Sequence, residues 1–241
     1  MIPLRDRNPT RRTPVVTLAV IGACFAAFAI ELSVTATGGD PALESFFRRW
    51  GAVPADITAM FSAGDYLGQA TIGVITSMFL HGSWLHIIGN MLFLWIFGNN
   101  VEDRLGSIGF ALFYLVGGIA AALTQVAIDP RSEVPLVGAS GAIAAALGAY
   151  IVLFPGARIL SIVFLGFFYQ LLEVPALVVL GYWFALQLIS GVGAFGAETA
   201  QGGVAFFAHI GGFVLGVLVG LLLRLVRRTT ARAGPAFGPM G

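Results

Sequence analysis

Apolar residues along this chain fall into long runs, and most of the charged residues gather between them. A helix that crosses the hydrocarbon core of a bilayer needs roughly 20 mostly apolar residues. On that measure the runs predict six spans, at about 14–33, 83–98, 107–127, 140–154, 174–193 and 204–225. The fourth is short, confined between the Gly138–Gly141 turn and Pro155. Residues 158–172 are also apolar but run directly into Glu173 and Pro175, which reads as an interfacial or re-entrant segment, with a seventh span as the alternative. Residues 34–80 form a long first loop rich in Gly, Pro and acids, and its length argues for an ordered, functional connection. The expected fold class is all-α: a polytopic transmembrane helix bundle. It comprises an N-terminal segment (1–13), a six-helix membrane domain (14–226) and a C-terminal tail (227–241).

Composition agrees with the pattern. Of 241 residues, 58% are hydrophobic and 10% charged, with a mean hydropathy of +0.90. A soluble domain carries about 25% charged residues, so this surface must face lipid. The net charge of +1 says nothing about nucleic acid, but the basic residues do not form the dense clusters interleaved with aromatics that a nucleic-acid reader needs, so no nucleic-acid partner is expected. All 13 basic residues are arginine, and they are unevenly distributed. Arg5, Arg7, Arg11 and Arg12 precede the first span, and Arg224, Arg227, Arg228 and Arg232 end or follow the last. An inside N-terminus puts Arg104 and Arg158 on the same side, leaving Arg48, Arg49 and Arg131 opposite. The positive-inside rule then predicts both termini in the cytoplasm, and an even number of spans agrees. The first run lacks a clear signal-peptidase site and reads as an anchor. The style of the chain suggests a bacterial inner (plasma) membrane. Cys24 is the only cysteine, so there is neither a disulfide framework nor a CxxC motif, and it reads as a small core residue.

Strongly polar side chains inside spans are costly, which makes each a functional candidate. The second span carries His86 and Asn90, four residues apart and so on one face, with His81 just upstream. The fourth opens with Gly138-Ala139-Ser140-Gly141, and the sixth contains Ala208-His209. Spans two, four and six all enter from the outer side. At 1.5 Å per residue, His209 lies roughly 8 Å deep, Asn90 roughly 10 Å, and Ser140 about 8 Å if its short span reaches the inner face. Small residues recur every fourth position at Ala208, Gly212, Gly216 and Gly220, and again at Ser140, Ala144 and Gly148. This spacing lets two helix backbones approach closely and would bring Ser140 to face His209.

A serine hydroxyl becomes a useful nucleophile when a base accepts its proton, and histidine suits that role. Ser140 also begins a helix, where free N–H groups and the positive dipole end favour a developing oxyanion. The flanking glycines allow a tight turn and close approach of a substrate backbone. His86 and Asn90 can add donors, or can form an interhelical hydrogen-bond clamp. Taken singly, a GxSG tetrapeptide or one intramembrane histidine is weak evidence; their common depth is more specific.

On these residues the chain resembles the rhomboid intramembrane serine proteases. The matching stretches are His81-Gly-Ser-Trp-Leu-His86-Ile-Ile-Gly-Asn90, Val101-Glu102-Asp103-Arg104-Leu105-Gly106, Gly138-Ala-Ser140-Gly141 and Ala208-His209-Ile-Gly-Gly212, in the family's order. The resemblance implies that Ser140 is the nucleophile, His209 its base, and His86 and Asn90 the oxyanion donors. It makes Gly138, Gly141, Glu102, Arg104 and Gly212 structural motif positions. It further implies a Ser–His dyad that needs no cofactor, cleaving single-span membrane proteins in or near their membrane segment, with the lipid bilayer as surroundings. The chain departs from the pattern at Ala144, where many rhomboids carry an aromatic packed on the catalytic histidine, so something else must orient His209. The segment 158–173 also matches poorly.

Other classes fit less well. A transporter or channel would carry polar groups through both halves of the membrane. A metal site is not indicated, because there is no HExxH and the histidines do not form helix-facing pairs. The nearest rival is a catalytically inactive rhomboid-like binding protein, although such proteins usually lack the serine or the histidine. If the dyad lies that deep, an intact substrate helix must unwind to reach it. Gly and Pro ease unwinding, so the expected cut lies near the outer membrane boundary, after a small residue and just before helix-breaking ones.

Overall fold

The computed structural model describes residues 1–166, 168–194 and 205–232. In chain order these form β1 (Ile2–Asp6), α1 (Val15–Trp50), α2 (Pro54–Ala63) and α3 (Gln69–Thr76), the last ending in a 3-10 turn at Ser77–Phe79. Then come α4 (Trp84–Phe93), a π-helical turn (Leu94–Gly98), α5 (Asn99–Leu105), α6 (Ser107–Ile128) and α7 (Ser140–Leu153). A hairpin of β2 (Arg158–Leu165) and β3 (Phe168–Pro175) follows, then α8 (Ala176–Ala194) and α9 (Phe206–Arg232). Of the expected C-terminal tail, everything beyond residue 232 lies outside the described residues.

The architecture is mostly helical and membrane-spanning. Among the described residues, Val15–Trp50, Ser107–Ile128 and Phe206–Val226 are long and apolar enough to cross a bilayer. A fourth crossing is made if Gln69–Phe79 and Trp84–Leu105, bent by 79° at the break between them, count as one span. Ser140–Leu153 and Ala176–Ile189 are apolar but shorter. The loop expected at 34–80 is largely helical. The first span runs on to Trp50 with a break at Gly39, whose φ of 68° begins the turn before Pro41, and α2 and α3 fill the rest.

Helix α7 is the axis of the bundle. Every residue from Gly141 to Tyr150 is buried, as expected for a helix that is apolar all round. Its main neighbours are α9 and α6. The α7–α9 seam is built from glycines: a methyl group on Gly212 would strike the Gly141 carbonyl, one on Gly216 the Ala145 carbonyl, and one on Gly148 the Phe213 carbonyl. Close backbone approach replaces the hydrophobic drive that helices lack within lipid.

Two expectations need correction. Residues 158–172 do not form the alternative seventh span. They form an antiparallel hairpin paired from Arg158↔Pro175 to Leu165↔Phe168, turning near Gly166 at φ 67°. The run is dense in Ile, Val, Phe and Tyr, which favour a pleated strand. The class is also not purely α, because β1 joins the hairpin in a three-stranded sheet of order β1-β2-β3. The N-terminal segment thus pairs Ile2 with Ile162 and Asp6 with Ile159. It is pinned there by Asp6, whose carboxylate accepts hydrogen bonds from the Tyr150 hydroxyl (2.9 Å) and the Asn100 amide (2.6 Å).

Candidate active site

The loop that delivers Ser140 is fixed at both ends. Ala52 and Leu136 exchange backbone hydrogen bonds of 3.0 and 2.8 Å, and the Gly138 N–H donates to the Ser77 carbonyl at 2.9 Å. Gly138 has φ 132°, a conformation rarely open to other residues, and a Cβ there would lie 2.8 Å from His86 Nε2. Glycine is therefore required twice, for its backbone and for the histidine beside it. The chain then enters α7 with Ser140 as its first residue and no side-chain cap on that N-terminus. The unpaired N–H groups and dipole of the first turn are left for another acceptor.

From α9, His209 reaches Ser140 directly: Nε2 lies 2.7 Å from the serine Oγ. On its other side, Nδ1 lies 2.7 Å from Gln187 Oε1. An amide oxygen only accepts, so Nδ1 carries the ring proton and Nε2 is the acceptor for the serine hydroxyl. The Trp183 ring packs at 5.8 Å from the imidazole, and Phe213 continues the aromatic stack. The position left by Ala144, which is itself buried against Gly212, is thus compensated from α8 by Trp183 and Gln187. The sequence reading missed both residues. The signal was present: they are four apart on one helix face, and Gln187 is an amide within an apolar stretch.

Helix α4 supplies the other side. Its N-terminus is capped by Ser83, whose hydroxyl accepts from the His86 N–H at 3.2 Å. His86 is half-buried, and its ring meets that of His81 edge-on at 5.0 Å. One turn further on, Asn90 Nδ2 is buried without a hydrogen-bond partner. An unpaired buried amide donor is expensive, and this one borders a cavity of about 780 Å³ shared with Ser140, His209, His86 and Gly141. All four expected chemical residues therefore meet at one cavity, with donors facing it from α4 and from the head of α7.

Behind α4 stands Glu31, buried in α1, whose carboxylate accepts the His81 N–H at 3.0 Å. It fixes the bend between the 3-10 turn and α4. An acid within the first apolar run could have flagged it. Of the expected motif residues, Gly138 and Gly141 line the cavity, whereas Glu102, Arg104 and Gly212 do not. Glu102 accepts from the N–H groups of Val16 (2.9 Å) and Thr17 (2.8 Å) and from the Ser107 hydroxyl (2.7 Å), joining α1, α5 and α6. The Arg104 guanidinium lies 5.2 Å over the Phe154 ring. Gly212 and Gly141 meet at the α7–α9 seam.

Fold and site together define a helical integral membrane protein with a hydrogen-bonded serine–histidine pair inside its bundle. Compared with known protein families, residues 69–226 match the Rhomboid domain. The chain is 34% identical over 160 residues to Rhomboid protein 1, mitochondrial, of Saccharomyces cerevisiae, covering 65% of this chain and 42% of that protein. It is 30% identical over 207 residues to RHOMBOID-like protein 4 of Arabidopsis thaliana, covering 84% and 45%. With Rhomboid protease GluP of Bacillus subtilis it shares 31% over 148 residues, covering 61% and 26%. This chain belongs to the rhomboid family. It spans less than half the length of these curated relatives. The bacterial inner membrane expected above finds no support in the first of them, which is mitochondrial; integration into a membrane is what stands.

Proposed function

We propose that this chain is an intramembrane serine endopeptidase, with Ser140 as nucleophile and His209 as base. The 2.7 Å contact between Ser140 Oγ and His209 Nε2 carries the reading. As Oγ bonds to the substrate carbonyl carbon, its proton passes to Nε2 and the carbonyl electrons move onto oxygen. Asn90 Nδ2, the His86 ring and the N–H groups heading α7 donate to that oxyanion. Collapse expels the amine, which takes the proton from Nε2 and leaves an ester on Ser140. Water, deprotonated by His209, then releases the acid and restores the serine. Gln187 holds the proton-bearing face of the ring throughout.

In the proposed topology the chain crosses the membrane six times, both basic ends face the cytoplasm, and the cavity opens toward the outer side. The substrates are single-span membrane proteins that unwind to present an extended backbone. Labelling of the detergent-solubilised protein with a fluorophosphonate probe tests the reading. Wild type should label, Ser140→Ala should not, and both should melt at similar temperatures. His209→Ala should lose activity to a similar degree, with the double mutant little worse, because a catalytic unit is not additive. Unlabelled but well-folded wild type would instead indicate an inactive rhomboid-like binding protein.

A further inference from the structure

A second cavity, of about 540 Å³, opens at the opposite end of α7 from Ser140, where Asn8, Arg11, Arg12, Asp103, Arg104 and Phe154 contribute walls. Three arginines and a single acid, Asp103, line it. That carboxylate is already engaged: Asp103 Oδ1 accepts the backbone N–H groups of Arg11 (3.2 Å) and Arg12 (3.1 Å). It holds the chain just before α1 against α5 and so fixes two arginines at the rim. Among the described residues, ion pairs form only between Arg7 and Glu173 and between Arg48 and Glu133, so none of the three cavity arginines has a carboxylate partner. Arg104 is oriented by the Phe154 ring beneath it. The cavity wall also includes Gly106, which precedes α6, and no side chain caps that helix.

The position of the cavity selects the kind of anion. Helix α6 starts its apolar run at Ser107, and α7 ends its own at Leu153. The cavity therefore lies where hydrocarbon gives way to headgroups, at the depth of lipid phosphates. We infer that it binds the phosphate of an anionic phospholipid, with Arg11, Arg12 and Arg104 on the phosphate oxygens and the acyl chains running down the apolar bundle. Guanidinium groups suit this because they donate two parallel hydrogen bonds to phosphate, and basic pockets beside spans attract anionic headgroups. The inference does not depend on proteolytic activity or on which leaflet the cavity faces.

The test uses the full chain in nanodiscs of phosphatidylcholine, with or without phosphatidylglycerol, and reads the melting midpoint and the lipids retained in native mass spectrometry. Phosphatidylglycerol should raise the wild-type midpoint by several degrees and remain bound after detergent exchange. The exposed pair Arg11→Gln/Arg12→Gln should lose both effects, while Arg131→Gln, at the far end of α6, should keep both. Because Arg11 and Arg12 are surface residues, the double variant is expected to fold; its midpoint in pure phosphatidylcholine checks this. Equal lipid retention by wild type and the double variant would overturn the proposal. Stabilisation by inorganic phosphate in pure phosphatidylcholine, matching that by phosphatidylglycerol, would overturn the lipid as its source.

Discussion

At the scale of single residues, the proposed catalysis rests on donors and acceptors already aimed into the cavity. Asn90 Nδ2 has no partner in its buried position, a cost the fold bears unless an oxyanion arrives to accept from it. Asn90→Ala is expected to lower turnover by roughly ten- to a thousandfold, the worth of one oxyanion donor, without loss of thermal stability. A variant that melts much earlier yet turns over normally would mark Asn90 as a clamp between helices. Gln187 acts one step back, through His209. Removing its hydrogen bond, worth about 1 kcal/mol, should cost about five- to tenfold in kcat with little change in KM. Gln187→Glu retains an acceptor and should recover most of the rate; equal losses in the Ala and Glu variants would refute the positioning role.

At the scale of elements, the serine and histidine meet because α7 and α9 touch backbone to backbone. Gly216 is the tightest point of that seam, where an added Cβ would overlap the Ala145 carbonyl. Gly216→Val must force the helices apart or tilt α9, at a cost of roughly 1–3 kcal/mol for overpacking. Since His209 lies two turns before Gly216 on the same helix, the displacement also opens the Ser140–His209 contact. The expected result is a lower melting temperature together with loss of probe labelling. Gly22→Ala, in α1, is a suitable control, because a methyl group there meets nothing within 4 Å. Full labelling by Gly216→Val would show that the dyad does not depend on this seam.

At the scale of the whole molecule, the N-terminal strand is a structural member. Burial pushes the Asp6 carboxyl above its ordinary value, against opposing hydrogen bonds from Tyr150 and the backbone of Asn8 and the charge of Arg5. A carboxyl whose folded pKa is raised stabilises the fold while protonated. Its contribution is present below the ordinary carboxylate value and is lost as pH rises through the raised one. Asp6→Asn keeps an acceptor for Tyr150 and Asn100 but cannot ionise. Wild type should therefore lose more melting temperature than Asp6→Asn between pH 4 and neutrality, counted as about two to three pH units above the ordinary carboxylate value. Identical slopes would show that Asp6 is not a burdened acid.

Much of this was legible in the chain. Long apolar runs fixed the membrane class, because no soluble surface could carry them, and helical spacing with a shared depth singled out Ser140, His209, His86 and Asn90. Spacing of small residues also foretold the α7–α9 approach. These inferences share a physical basis: periodicity and hydropathy report what a residue faces on average, and they work within one helix or between two of known direction. Partners brought together from distant parts of the chain leave no such trace. The Asp6–Tyr150 bond joins positions 144 apart, and the pairing of β1 with β2 depends on where the bundle places the hairpin. The sequence already showed that Ala144 could not steady His209, but that Gln187 and Trp183 do so instead was decided by the rotation of α8 against α9. Lipid selects for apolar side chains almost regardless of such rotations, so only tertiary packing could settle them.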